Sequence, residues 1–190
     1  VLGGTASLSA IESIVGTSGT ESVALLGNGV TVNAAEIDTV IGTGGTDVLT
    51  LLSNTPMTVS TIETIVGGAG TDAVRILGGG AVAVSEVDTV TGSTGTADSV
   101  ALLDATTNVI AVSAVESVVA TNSASADTVT MLSAGALSVS GIDNVIGTTA
   151  STDSLRLITA GDDVSVSAID TVIGTGAGGA DVVTMLADNT

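Results

Sequence analysis

The chain has 190 residues and a mass of 18.0 kDa, with 25 Gly, no Phe, Trp or Tyr, and no His or Cys. Its only cations are Arg75 and Arg156, against 20 Asp plus Glu, for a net charge of −18. Histidine or thiol catalysis, zinc, haem and iron–sulfur sites and disulfides are thereby excluded, as are nucleic-acid binding by a basic face with stacking aromatics and attachment to a membrane through a basic surface.

The chain is nevertheless built to bury a core. Hydrophobic residues make up 44%, nearly all Val, Ile, Leu and Ala, and β-branched residues are depleted in disordered segments. No apolar run approaches the roughly 20 residues of a membrane span, so no membrane insertion is expected. Without an initiating Met or a signal peptide, the chain reads as one domain over residues 1–190 that is mature, processed or cut from something longer.

One block recurs throughout. It reads Ile37-Asp38-Thr39-Val40-Ile41-Gly42-Thr43-Gly44-Gly45-Thr46-Asp47-Val48-Leu49-Thr50-Leu51-Leu52 in its second copy, followed by a turn and Met57-Thr58-Val59-Ser60. The seven copies begin at Ile11, Ile37, Ile62, Val87, Val115, Ile142 and Ile169, at spacings of 25 to 28 residues. Each holds three short apolar runs, in the second copy Ile37–Ile41, Val48–Leu52 and Met57–Val59. These runs are too short for helices and alternate with period two. The expected fold is all-β, a parallel β-solenoid of about seven rungs, each of ~26 residues and three strands. At about 4.8 Å per rung, that makes a rod of roughly 34 Å.

In chain order, the middle run of each copy sends inward Val23/Leu25, Leu49/Leu51, Val74/Ile76, Val100/Leu102, Val129/Met131, Leu155/Leu157 and Val183/Met185. Met57, Met131 and Met185 sit at core-like positions, as filler. Pro56 falls in a turn, where its missing N–H does no harm. The opening run alternates poorly, which implies a bend within or beside it. Leu26, Leu52, Leu77, Leu103, Leu132, Ile158 and Leu186 follow the middle runs. They either tuck into corners, the favoured reading, or form an exposed ridge. Arg75 and Arg156 share one repeat position, and surface pairing with acids is their simplest role.

Fourteen acids fall into two columns. One is Glu12, Asp38, Glu63, Asp88, Glu116, Asp143 and Asp170 beside the opening run. The other is Glu21, Asp47, Asp72, Asp98, Asp127, Asp153 and Asp181 at the start of the middle run. Stacked rungs would set like charges roughly 5 Å apart, with about 1 kcal/mol of repulsion per adjacent pair in water and more in a lower dielectric. The first column, with no glycine loop beside it, reads as exposed carboxylates for solubility. The second calls for a compensating cation.

Gly67-Gly68-Ala69-Gly70-Thr71-Asp72-Ala73-Val74-Arg75 matches G-G-x-G-x-D-x-U-x in full, and Gly42–Thr50 matches except at Thr43. Here the chain resembles the calcium-binding β-roll repeats of the repeats-in-toxin family. The resemblance implies Ca²⁺ held between successive same-side loops by carboxylates and backbone carbonyls, the all-oxygen set calcium requires. The residues implicated are Glu21, Asp47, Asp72, Asp98, Asp153 and Asp181, with Gly42, Gly45, Gly67, Gly68 and Gly70 shaping the loops. The family carries two such loops per turn of about 18 residues, whereas this chain carries one per ~26, and residues 120–127 hold no glycine. The alternative is that each Asp closes its turn by bonding its own backbone.

The composition also resembles the Thr/Val/Gly-rich repeats of long bacterial surface proteins. The expectation is an extracellular structural protein, a surface-layer, adhesin or fibre component with a cell-surface or matrix partner. Val1-Leu2-Gly3-Gly4 aligns with Ile76-Leu77-Gly78-Gly79, and the chain closes in the same phase at Met185-Leu186. Uncapped ends of this kind suggest a stretch of a longer protein or a unit that stacks head to tail into filaments. Two other classes compete. An ice-binding solenoid needs flat Thr-x-Thr ladders, but the regular threonines here are read as loop residues. A carbohydrate-active β-helix enzyme needs an exception to the repeat, and no copy supplies one, so the chain is not expected to be an enzyme.

Overall fold

The computed structural model describes residues 4–17, 19–95, 97–103, 107–121, 126–149, 152–176 and 178–187. The aligned ends Val1–Gly3 and Asp188–Thr190 lie outside them. The described chain is a parallel β-solenoid of 21 short strands and no helix.

Each sequence copy contributes three strands, as its three apolar runs predict. The opening strands are β2 (Ser13–Val15), β5 (Thr39–Ile41), β8 (Thr64–Val66), β11 (Thr89–Thr91), β14 (Ser117–Ala120), β17 (Asn144–Ile146) and β20 (Thr171–Ile173). The middle strands are β3 (Glu21–Leu25), β6 (Val48–Leu51), β9 (Ala73–Ile76), β12 (Asp98–Leu102), β15 (Thr128–Met131), β18 (Ser154–Leu157) and β21 (Val182–Met185). The closing strands are β4 (Thr31–Ala35), β7 (Met57–Ser60), β10 (Gly80–Ser85), β13 (Val109–Ser113), β16 (Ala136–Ser140) and β19 (Asp163–Ser167). One further closing strand, β1 (Gly4–Leu8), precedes the first copy.

The rung differs from the expected one. Odd-numbered strands form one parallel sheet of 11, here called A, and even-numbered strands a second sheet of 10, here called B. A coil therefore holds two strands. A residue's partner one coil on lies between 16 positions later (Ala73 to Thr89) and 22 (Thr89 to Ala111). One ~26-residue copy spans one and a half coils, so successive copies begin on opposite sheets. The rod rises ten steps from β1 to β21, roughly 48 Å at about 4.8 Å per step. The reason lies in the corners. Each connection reverses the chain and delivers it to the facing sheet, so two strands complete a circuit where three gentler bends would have been needed.

Between the sheets lies a core of stacked aliphatics. Val23, Leu25, Leu49, Leu51, Val74, Ile76, Val100, Leu102, Val129, Met131, Leu155 and Leu157 are buried, as the alternation predicts. Each fully buried side chain of this size contributes roughly 1.5–3 kcal/mol. Val183 and Met185 are 38% and 65% exposed, because β21 has a strand neighbour on one side only.

The bend expected beside the opening run is a left-handed residue just before it. Ala10, Glu36, Thr61, Glu86, Ala114 and Ala168 have φ of 51–55°, and Gly141 of 65°. The turn swings the next aliphatic, such as Ile37 or Ile62, into the core. The corner carbonyl also presses on the coil below. A Cβ on Gly16, Gly42, Gly67, Gly92 or Gly147 would stand 1.8–2.0 Å from the backbone oxygen of Glu36, Thr61, Glu86, Ala114 or Ala168 respectively. At the remaining junction the lower residue is Ala120 and the glycine sits above it, as Gly141. Each of these six junctions thus holds one glycine.

Three surface expectations change. Leu26, Leu52, Leu77, Leu103, Leu132, Ile158 and Leu186 do not tuck into corners but stand 36–61% exposed. The inward positions around each corner are already filled by the strand and by the buried aliphatic after the left-handed turn. Arg75 lies on sheet A and Arg156 on sheet B, both exposed, so their shared repeat position puts them on opposite faces. Threonines are not confined to loops, since Thr89, Thr91, Thr128 and Thr130 alternate with buried valines on sheet A. Their rows are interrupted by Arg75, Val109, Asn144 and Ile146, so no continuous threonine lattice forms.

Candidate functional site

Because copies alternate between sheets, neither acid column is a seven-membered ladder. Along the edge where sheet A strands start, the order is Glu21, Asp38, an acid-free coil, Asp72, Asp88, another coil occupied by Asn108, then Asp127 and Asp143. The sheet B edge carries Asp47 and Glu63, Asp98 and Glu116, and Asp153 and Asp170 in the same pattern. Acids come as adjacent pairs, one from each column, and successive pairs are separated by a coil without a column acid; after Asp143 that coil places Asp162 opposite Asp181.

Each pair is a staple. The backbone N–H of the second-column residue donates to the first-column carboxylate one coil on. The bonds run from Glu21 to Asp38, Asp47 to Glu63, Asp72 to Asp88, Asp98 to Glu116, Asp127 to Asp143 and Asp153 to Asp170, at 2.7–2.9 Å. The first column was read as exposed solubilising charge; six of its seven members also bind a backbone N–H, and of these Glu116 and Asp170 remain exposed. The sequence signal was its separation from the second column, 16 to 18 residues within each pair, which is the coil length.

The second-column side chains are buried, with Glu21, Asp47, Asp72, Asp98, Asp127 and Asp153 at 0–6% exposure. Asp47 shows why a carboxylate is tolerated there. Its Oδ2 accepts the Thr43 N–H of its own loop at 2.8 Å, and its Oδ1 accepts the Val30 N–H of the preceding coil at 2.8 Å. Asp153 does the same with the Thr148 amide and hydroxyl and the Gly135 amide. Asp181 does so with Thr175 and Gly161. Gly68 N–H donates to Asp72 Oδ2, Ser93 to Asp98 Oδ2, and Asn108 to Asp127 Oδ1. Asp72 Oδ1 and Asp98 Oδ1 are buried without a partner. At Asp98 the facing Gly80 N–H bonds Ala97 O instead.

The loop glycines serve packing. Gly42 and Gly67 lie under the left-handed corners and within 2.7–2.8 Å of the Asp47 and Asp72 carboxylates, measured from an added Cβ. Gly45 (φ 130°) and Gly70 (φ 118°) settle onto Asn28 and Asn54 of the preceding coil, where a Cβ would overlap the asparagine side chain. Gly68 rests against Leu51 O.

Calcium was expected between successive glycine loops on one side. Successive loops, such as those ending at Asp47 and Asp72, start strands of different sheets. Two glycine loops on the same edge are three coils apart, roughly 14 Å, whereas calcium ligands sit about 2.3–2.6 Å from the ion. Among the described residues no group of three or more acids is placed to hold a metal. Both oxygens of Asp47, Asp153 and Asp181 already accept hydrogen bonds. The donor set therefore does not fit an ion shared between successive loops. It fits the turn-closing alternative.

Burial pushes the Asp153 carboxyl up, but the Thr148 hydroxyl and amide and the Gly135 amide outweigh it and hold the group below its ordinary value of 3.8. The Thr175 and Gly161 amides hold Asp181 below that value too. A carboxylate with a depressed native pKa contributes stability above its unfolded pKa and loses it as pH falls through the native value. The melting temperature should therefore fall below about pH 3.8. Asp153→Asn, melted by far-UV circular dichroism, should show a shallower fall; an identical pH profile would remove Asp153 from the account. Compared with known proteins, the chain matches no family model, no curated protein and no solved structure.

Proposed function

We propose that the chain is a structural rod, a stacking unit of an extracellular scaffold, whose acid staples and corner glycines hold the coils in register. One observation carries this reading: the acids of the two columns recur copy by copy, and in six pairs they join one coil to the next. A site for a substrate would be an exception to the repeat, with carboxylates left to work. Here Glu63, for example, lies beside a groove formed by the corner at residues 60–62 and the Gly78–Gly80 turn, yet its carboxylate is bonded to Asp47 N–H.

The terminal strands support stacking. Val15 in β2 is 70% exposed, and Val182 and Met185 in β21 are 51% and 65% exposed. Such surfaces are what a further coil, of this chain or of a second copy, would cover. The β-roll-like loops and the Thr/Val/Gly-rich composition support placement outside the cell. No helix of the described residues is long and apolar enough to cross a membrane. Purified protein at about 0.15 M salt, where charge is screened beyond about 8 Å, should form rods of growing length in negative stain. A monodisperse particle of single-chain mass at high concentration would overturn the reading.

A further inference from the structure

The middle strands run one residue past their last buried position. The ladder continues through Leu26, Leu52, Leu77, Leu103, Leu132 and Ile158, whose N–H groups bond the coil below at 2.7–3.0 Å. Alternation turns these six side chains outward, onto the outer faces of the sheets, where they are 36–61% exposed. Leu26, Leu77 and Leu132 stand on sheet A, and Leu52, Leu103 and Ile158 on sheet B. Each comes just before a turn that carries the chain to the facing sheet. The first outward position after the turn is Thr31, Ala81 or Ala136 on sheet B, and Pro56, Val109 or Asp163 on sheet A, all exposed. A bulky residue on one outer face thus shares its edge, and its height to within half a coil, with a smaller one on the opposite face.

Charge follows the same plan. Among the described residues no acid other than Asp163 stands on an outward strand position, and the cations there are Arg75 on sheet A and Arg156 on sheet B. Arg156 and Asp163 flank one turn on opposite faces, so within one rod they point away from each other.

We propose that a second copy of this chain packs face to face on the first, sheet A of one on sheet B of the other, with the two rods level and pointing the same way. Leu52 and Leu103 then seat on Pro56 and Val109 of the neighbouring copy, whose Leu26, Leu77 and Leu132 seat on Thr31, Ala81 and Ala136. Arg156 meets Asp163 of the neighbour. Arg75 comes over the start of β8, beside Glu63. Apposing like faces at one height would instead set Arg75 on Arg75 or Arg156 on Arg156. The occupant is a copy of this chain because the same repeat supplies the bulky residues and their seats at one spacing, three coils or roughly 14 Å along each edge. Strands of about four residues over a rod of roughly 48 Å give each copy about 600 Å² of face. The total clears the roughly 1,000 Å² that a specific interface needs. The contact uses faces and not ends, so it is the same for a rod of any length. The two faces differ, so the contact does not close and copies add as layers. This packing rests on the scaffold reading above and specifies how its rods lie side by side.

Small-angle X-ray scattering at about 0.15 M salt, where charge is screened beyond about 8 Å, should show a rod cross-section that thickens with concentration. Arg156→Glu should weaken this association roughly tenfold, since like charges then face each other in every contact. Asp163→Arg should weaken it as much, although it makes the chain less acidic and general repulsion alone would then favour association. Arg156→Glu/Asp163→Arg, which reverses the pair, should associate like the parent. All three changes lie at exposed positions, and their far-UV circular dichroism melts should match the parent. Stronger association of Asp163→Arg than of the parent, or no recovery in the reversed pair, would overturn the packing of sheet A on sheet B. Rods that lengthen at constant cross-section would overturn the side-by-side packing and leave the scaffold reading in place. Layers that thicken without lengthening would bear out the packing and overturn head-to-tail growth. Single-chain particles throughout would overturn both.

Discussion

Gly147→Ala should destabilise the protein by about 3 kcal/mol, at the upper end of ordinary overpacking costs. The added Cβ would stand 1.9 Å from the Ala168 carbonyl oxygen and 2.8 Å from its carbon. Those are backbone atoms of a left-handed corner, which cannot step aside without lifting the next coil. For a chain of this size the melting temperature should drop by roughly 6–12 °C. The second half of the expectation is recovery. Gly147→Ala combined with Ala168→Gly reproduces the arrangement at Ala120 and Gly141, where the glycine sits on the upper coil. Glycine at position 168 keeps the carbonyl but has the backbone freedom to turn it off the added Cβ, so the pair should regain part of the loss, with a coupling energy of about 1 kcal/mol or more. Strict additivity in that cycle would mean that the single glycine at each junction has no steric cause.

Asp47→Ala should cost about 3 kcal/mol, because it leaves both the Val30 and the Thr43 N–H groups buried without an acceptor, at roughly 1–3 kcal/mol each. Asp47→Asn should cost nearly as much, since its amide nitrogen must face one of those two donors. Asp72→Asn should be milder, about 1 kcal/mol. Its amide oxygen can keep the Gly68 bond, while its nitrogen takes the place of Oδ1, which no donor faces. All three melts should be the same in millimolar Ca²⁺ and in chelator. Were calcium to raise the melting temperature by several degrees, and Asp72→Asn to abolish that rise, the ion rather than the amide bonds would be holding these loops.

The fold class was legible because backbone chemistry and period-two burial act locally. The alternation in Val48-Leu49-Thr50-Leu51 identifies a half-buried strand wherever it sits, and its recurrence identifies a stack. The coil was not read correctly because the strongest signal, the ~26-residue repeat, counts strands and not circuits. The circuit length was written in a weaker signal, the 16 to 18 residues from each second-column acid to the first-column acid of its staple. Taking the repeat as the rung turned two sets of alternating pairs into two ladders of like charge that called for a cation; the choice of calcium came from the match of Gly67–Arg75 to the β-roll nonapeptide.

The sequence by itself determined the strands and the inward aliphatics, and offered the pairing of an Asp with its own loop as one of two readings, because these depend on neighbours within a few residues. Only the tertiary structure decided which copies share an edge, that Leu26 and its equivalents face solvent, and that Gly16, Gly42, Gly67, Gly92 and Gly147 lie beneath a carbonyl of the following coil. These depend on how far each corner turns the chain. That angle is set by one left-handed residue per copy, and at Ala10, Glu36, Thr61, Glu86, Ala114 and Ala168 it is occupied by residues with no intrinsic preference for that conformation. Stacking against the coil below imposes it, so no local pattern announces it.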